Sequence, residues 1–536
     1  MNASINTRRL FVAFSAALLM MSGTAHAHDD EGKGQLGRVK FENSCDPKVQ
    51  PLIETGVAML HSFWYSAGEQ TFRDVLKQDP TCTIANWGIA AILMSNPLAG
   101  VGASPKAAAV AQEAIDHARR IAPKTQRERD YIEAVAAYYQ DFSTRPERSR
   151  QESRAKAFED LAARYADDDE ARIFSALYIA GTQTQADQTY AAYLKAAAVL
   201  EKLFVKYPDH PGVAHYLIHS YDAPPIAKQG LPAARRYASI APAAPHALHM
   251  PSHIFTRVGA WEDSAATNLR AAAVAIKGDE VNEGYHASDY TVYAYLQLAR
   301  DNDARRVMED ILKVTSDNPV LAFARIYAIA AMPARYALER GAWRDAMQLQ
   351  PQPTKLLFPE AITHFARALG AARNGDIAAA EKDAAELARL HKELQDAKNN
   401  YWATEVEIQR LAVAGWLALA QRKPDDALKF MRAAADLEDK NEKHIVTPGR
   451  VVPARELLGE LLLELKQPAI ALKEFEASHL REPNRFRGYD GAARAAEAAG
   501  DRRKAADFYA KLMELAKKAD SARPEIARAR AYVAQR

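Results

Sequence analysis

The sequence predicts an all-α fold, a solenoid of about ten helix pairs, and three observations carry that reading. Alanine-rich amphipathic stretches follow one another from residue 51 almost to the end, and alternating β-branched runs are missing. Glycine or Asp-Pro punctuates them at turn positions, as at Asp79-Pro80 and Gly259. A pair of histidines also recurs at one fixed interval. His215 and His219 return as His249 and His253, since 249 − 215 = 34 and 253 − 219 = 34. That is the length of one helix–turn–helix unit, so the two pairs fall at the same phase of neighbouring units.

Taken in order, residues 1–27 read as a signal peptide. Arg8 and Arg9 precede an apolar run from Leu10 to Met21, and Ala25-His26-Ala27 supplies a small-x-small cleavage pattern. Thr7 to Phe11 also resembles the twin-arginine export pattern, and a general secretory signal fits the same residues. Both place the mature chain in a periplasmic or secreted setting. Residues 28–50, opening on HDDEGKG, are expected to form a flexible tail, and the helical array should span 51–521. GEQTFRDVLKQDP (Gly68 to Pro80) reads as a second helix with its closing Asp-Pro. Further units stand at Ala157 to Ala180, Ala197 to Asp222, Arg257 to Ala272, Ala337 to Met347, Gly370 to Leu387 and Ala418 to Ala434. Glu464 to Pro483 and Ala495 to Leu512 continue the series, and 522–536 reads as a basic helix capping the stack. The nearest thing to a linker is Asp141 to Ser153, which is too poor in Pro, Gly and Ser to force two domains.

On these segments the chain resembles exported bacterial tetratricopeptide-repeat (TPR) proteins with a histidine-rich groove. The resemblance covers most of the mature chain and implies a right-handed α-α superhelix with a concave binding face. It also implies that His215, His219, His246, His249 and His253 face that groove, once Gly259-x-Trp261 is aligned with the glycine–aromatic turn of the repeat.

Composition narrows the function classes. Seventy Lys and Arg against 68 Asp and Glu give a net charge of +2, so no electrostatic case exists for nucleic acid. No segment past the leader is apolar for eighteen residues, so no transmembrane helix is expected. The two cysteines, Cys45 and Cys82, are too few for a thiolate cluster; in an oxidising compartment they would pair and tie the tail to the first repeat.

The chemistry is concentrated in residues 215–253. Five of the 15 histidines fall in these 39 residues, where an even spread would put about one. Side chains four apart share a helix face, so each H-x3-H pair presents two nitrogens to one ion. Pro251 complicates the second pair: either Pro245 starts a helix that Pro251 bends, or the helix begins at Pro251. On the latter reading His215, His219 and His253 are the firmer ligands. Asp222 follows His219 by three, and Glu283, His286 and Asp289 follow at two further i,i+3 steps. Asp222 and Asp289 are equally placed to accept the second N–H of a ligating ring. Such a donor set suits a divalent transition metal, zinc, copper, iron or nickel, and adjacent helices have room for two ions. Arg257 is either a clamp for a carboxylate or phosphate or a partner of Glu262 or Asp263.

Of the remaining histidines, His61 is expected to pack among aromatics. His364 and His444 are weaker groove positions, and His117, His210, His391 and His479 are expected at the surface or in turns. No G-x-S-x-G, H-E-x-x-H or phosphate-cradling loop is present, so any catalysis would come from the metal. The sequence therefore leaves two readings. One is a metal-binding exported repeat protein whose site either works as a metal-dependent enzyme or only holds the ion; the other is a metal-free scaffold holding a peptide, protein or small molecule in the groove.

Overall fold

The computed structural model describes residues 35–315, 322–352, 354 and 356–534. The signal-peptide reading of 1–27 lies outside them. Every regular element among the described residues is helical, from Pro47–Val49 to Pro524–Ala534, and each helix packs against its neighbours along the chain. The fold is an all-α helical-repeat array.

Two widely separated places show why these sequences stack. Phe72 of helix Tyr65–Gln78 lies against Gly56 of the preceding helix and Gly88 of the following one; a Cβ at either glycine would meet the Phe72 ring at 2.9 and 2.5 Å. Phe475 of Pro468–Arg481 lies in the same way between Gly459 and Gly491, where a Cβ would meet its ring at 2.7 and 2.2 Å. The glycines stand 16 residues before and after the phenylalanine in both cases (72 − 56 and 88 − 72; 475 − 459 and 491 − 475). One large ring needs two small residues on its flanking helices, and the repeat supplies them at both ends of the chain. Capping adds local definition: Asp168, Asp376 and Asp501 each accept from the amide three residues on.

The tail expected over 28–50 is corrected for its described part. Leu36, Phe41 and Val49 are buried, and Phe41 stacks on Trp87 at 5.2 Å. Cys45 and Cys82 form a disulfide, and Ser44 donates to Glu128 Oε1 and Oε2. At Asp141 to Ser153 the chain runs directly into helix Glu147–Arg164, with the Arg150 guanidinium 4.0 Å from the Phe142 ring.

The chain curls so that its C-terminal repeats meet its middle. Gly259 has φ +69° and no room for a Cβ, which would lie 2.6 Å from Pro483 O, and Trp261 Nε1 donates to Asn484 O at 2.7 Å. Arg485, fully buried, binds Glu456, Glu339 and Tyr293 and so joins three helices. Residues 440–453 leave the helical pattern and lie across the middle of the chain. Ile445 enters the N-terminal core, the Thr447 carbonyl accepts from Tyr290, and the Gly449 carbonyl accepts from Arg335.

Candidate metal centre

Helix Pro211–Ser220 begins at His210, whose Nδ1 accepts from the Val213 amide, with Pro211 in the first turn where its missing N–H costs nothing. It carries His215 and His219 on one face, and their Nε2 atoms lie 3.1 Å apart. One repeat later the chain is helical from Pro245 to His249 and again from Pro251 to Arg257. Met250 between them has φ −52° and ψ −36°, so the bend at Pro251 leaves the i,i+4 relation intact. His249 Nε2 and His253 Nε2 lie 3.0 Å apart.

Each pair is completed by a third ring. His215, His219 and His246 form one triad and His249, His253 and His286 another, with ligand atoms within 4.8 Å of one another in each. The triads adjoin: ring centroids are 5.5 Å apart for His219 and His253, and 5.8 Å for His246 and His249. All six rings are buried, none more than 7 % exposed.

What the other ring nitrogens touch fixes the tautomers of His215, His249 and His253. His215 Nδ1 donates to the His61 carbonyl at 2.6 Å, His249 Nδ1 to Asn268 Oδ1 at 2.7 Å, and His253 Nδ1 to Asp222 Oδ2 at 2.8 Å. His246 Nδ1 lies 3.0 Å from Glu283 Oε2, while its buried Nε2 has no partner. In the neutral ring a proton on Nδ1 leaves a lone pair on Nε2. His249 and His253 therefore point lone pairs at each other across 3.0 Å. Burial holds the pKa values of His215, His219 and His249 well below the usual histidine range. It also lowers His253, against the pull of Asp222, and takes His286 down to about 3. Between His249 and His253 a proton is thus a poor filler; between His215 and His219 it can sit on Nε2 of His219, whose Nδ1 has no partner, and donate to His215 Nε2. A metal ion fits both spaces: two nitrogens about 2.05 Å from one ion and 3.0–3.1 Å apart subtend about 94–98°.

Around the triads the polar groups are mutually engaged. Asp222, fully buried, accepts from His253, from Arg257 Nε at 2.8 Å, and lies 3.5 Å from Lys443 Nζ. Burial pushes the Asp222 carboxyl up, but Lys443, Arg257 and His253 together hold it well below the usual range. Glu283 is also held low, burial being outweighed by His246. Phe63 walls the first triad, its ring centroid 4.4 Å from His215 and 5.5 Å from His246.

Several expectations are corrected. The imidazoles do not look into an open groove: all six are buried, with Phe63 packed on the first triad and Tyr290, which donates to the Thr447 carbonyl, packed on the second. Asp289 is no ligand: it is spent on the fully buried Arg335. Asp222 and Glu283 hold imidazole N–H groups and stand behind the rings. Arg257 pairs with neither Glu262 nor Asp263 and offers no free clamp; it binds Asp222, with Glu442 Oε2 at 3.4 Å. His210 stands in a turn, as expected, capping helix Pro211–Ser220, but it is buried there and shares Glu170 with His61 at 2.9 Å on each side. Burial pushes Glu170 up, but the two imidazoles hold it down to about 2, so this cluster is already satisfied. His364 turns to Asp383, and His444 packs against Phe323 and Trp402.

Sequence reasoning missed Asn268, the His61 carbonyl and Lys443. Only Lys443 left a trace, in the stretch NEKHIVTPGRVVP, where Pro448-Gly449 breaks the helical period.

No helix among the described residues is long and apolar enough to cross a membrane. No family model matches the chain, and no curated protein does. Among solved structures it is similar to a human IFIT1 dimer with PPP-AAAA, at 12% identity and a TM-score of 0.37, over 77% of this chain and 87% of that one. It is also similar to the APC/C hetero-tetramer Cut9–Hcn1, at 12% identity and a TM-score of 0.30, over 91% and 90%.

Proposed function

We propose that this chain is an exported helical-repeat protein whose two buried histidine triads bind transition-metal ions, and that any reaction it catalyses takes place there. One observation carries the reading. His249 Nε2 and His253 Nε2 face each other at 3.0 Å with both Nδ1 protons committed elsewhere, so the space between them calls for a cation. At His215 and His219 the Nε2 atoms lie 3.1 Å apart with His215 Nδ1 bound to the His61 carbonyl, and the buried His246 Nε2 beside them has no partner, which supports it. Export rests on the leader-like residues 1–27 and accords with the Cys45–Cys82 disulfide, since such bonds persist in oxidising compartments. A protein or peptide partner, if one docks, meets the outer surface of the repeats, because the imidazoles are covered.

The test is elemental analysis of the full chain purified without affinity-tag metals, beside His215→Ala/His219→Ala and His249→Ala/His253→Ala. Metal retained by the parent and reduced in each double variant is the expected result. Absence of metal from the parent, with thermal unfolding unmoved by added copper or zinc, would overturn the proposal.

A further inference from the structure

The chemistry and size of the site narrow what it handles; the step taken here rests on the metal reading above. Both triads are built from imidazoles, ligands that add no charge of their own to a bound ion, and the nearby carboxylates Asp222 and Glu283 accept N–H groups rather than facing the ions. The carboxylates beside the triads are already engaged: Arg257 and Lys443 meet Asp222, Arg257 and Arg481 meet Glu442, and His246 meets Glu283. Two dications side by side would add four charges to a buried region whose adjacent carboxylates already have partners. Two monovalent ions halve that load, and copper is the imidazole-binding metal with a stable monovalent state. A pair that later becomes divalent needs an anion between its members.

Access sets the second limit. The six residues are at most 7 % exposed, and the small cavity behind them, about 20 Å³ between Asp222, Lys443, Gln183 and Gln185, touches none of the six. Rings buried this far leave no surface for a peptide or an aromatic ring and are open only to a very small molecule. Phe63 closes the other side with apolar carbon.

We propose that the triads hold one copper ion each and that the pair binds dioxygen. Each copper(I) gives one electron; dioxygen takes both, its double bond becomes a single bond, and the resulting dianion bridges two copper(II) ions. No proton and no outside reductant enters, and release runs the step backwards.

The test loads the full-length apoprotein with copper(I) without air, determines copper per chain, then adds dioxygen and follows uptake, near-ultraviolet absorption and electron paramagnetic resonance. Expected are two copper ions per chain, one dioxygen per two coppers, a new charge-transfer band, and no cupric resonance because the bridged spins are coupled. His246→Gln and His286→Gln should each hold about one copper and lose dioxygen uptake; if either fails to fold, the titration of the parent chain decides alone. Two coppers with no uptake, or a full-intensity isolated cupric signal, would overturn the inference and leave the metal reading standing. Failure to retain copper at all, with zinc held instead, would also overturn it, whereas loss of every metal would remove the reading beneath it.

Discussion

Asn268 offers the sharpest check on the tautomer argument, because it touches a ligand without being one. It is fully buried, its Oδ1 accepts from His249 Nδ1 at 2.7 Å, and its Nδ2 donates to Ser264 O at 2.7 Å. Asn268→Ala leaves the His249 N–H without its acceptor in a buried setting, a loss of about 1–3 kcal/mol in apoprotein stability. The ring is then free to move its proton to Nε2, the atom that faces His253. Loss of such an outer partner weakens metal binding about 10–100-fold, or about 1.4–2.7 kcal/mol. The assay is a competition titration against a chelator of known affinity at pH 7.5, run beside urea unfolding of the apoprotein. Lower stability with metal affinity unchanged within about threefold would refute the claim that Asn268 aims the lone pair, and would make it a packing residue only.

Three further outcomes follow from the same structure. Burial depresses His215, His219, His249, His253 and His286 in the folded state, so below about pH 6.5 the unfolded chain takes up protons the folded chain refuses. Apoprotein stability is therefore greatest above that pH and falls as pH drops, each ring adding a slope approaching about 1.4 kcal/mol per unit; a urea midpoint flat between pH 7.5 and 5 would count against neutral buried rings. Arg335→Met strands the buried Asp289 carboxylate and should cost about 3–5 kcal/mol by urea unfolding, while metal content per chain stays unchanged. Cys45→Ser/Cys82→Ser opens a loop spanning a separation of 37 residues and should lower stability by about 2–4 kcal/mol, with the parent falling to the same level under reductant.

How much was legible in advance depends on the range of the interaction. The 34-residue return of the histidine pairs and the helical period are local, and they suffice to place His215, His219, His249 and His253 in two neighbouring units. The effect of Pro251 was not decidable locally: Met250 keeps helical angles because the packed repeats hold it, and the i,i+4 pair survives. Asp289 and Arg257 were misread for a similar reason. A carboxylate at i,i+3 from a histidine shares its helix face, yet Arg335 and Glu442 arrive from 46 and 185 residues away and claim these side chains.

The sequence by itself determined the all-α repeat, the two cysteines and the in-phase imidazoles, since each follows from spacing along one helix or between adjacent ones. Tertiary structure alone decided that the imidazoles are buried rather than lining an open groove. Residues 441–453 carry no signal for where they lie, and Lys443 and Thr447 reach Asp222 and Tyr290 only because the solenoid curls back on itself. Packing between the repeats buries all six imidazoles, and burial favours the neutral form of His215, His219, His249, His253 and His286.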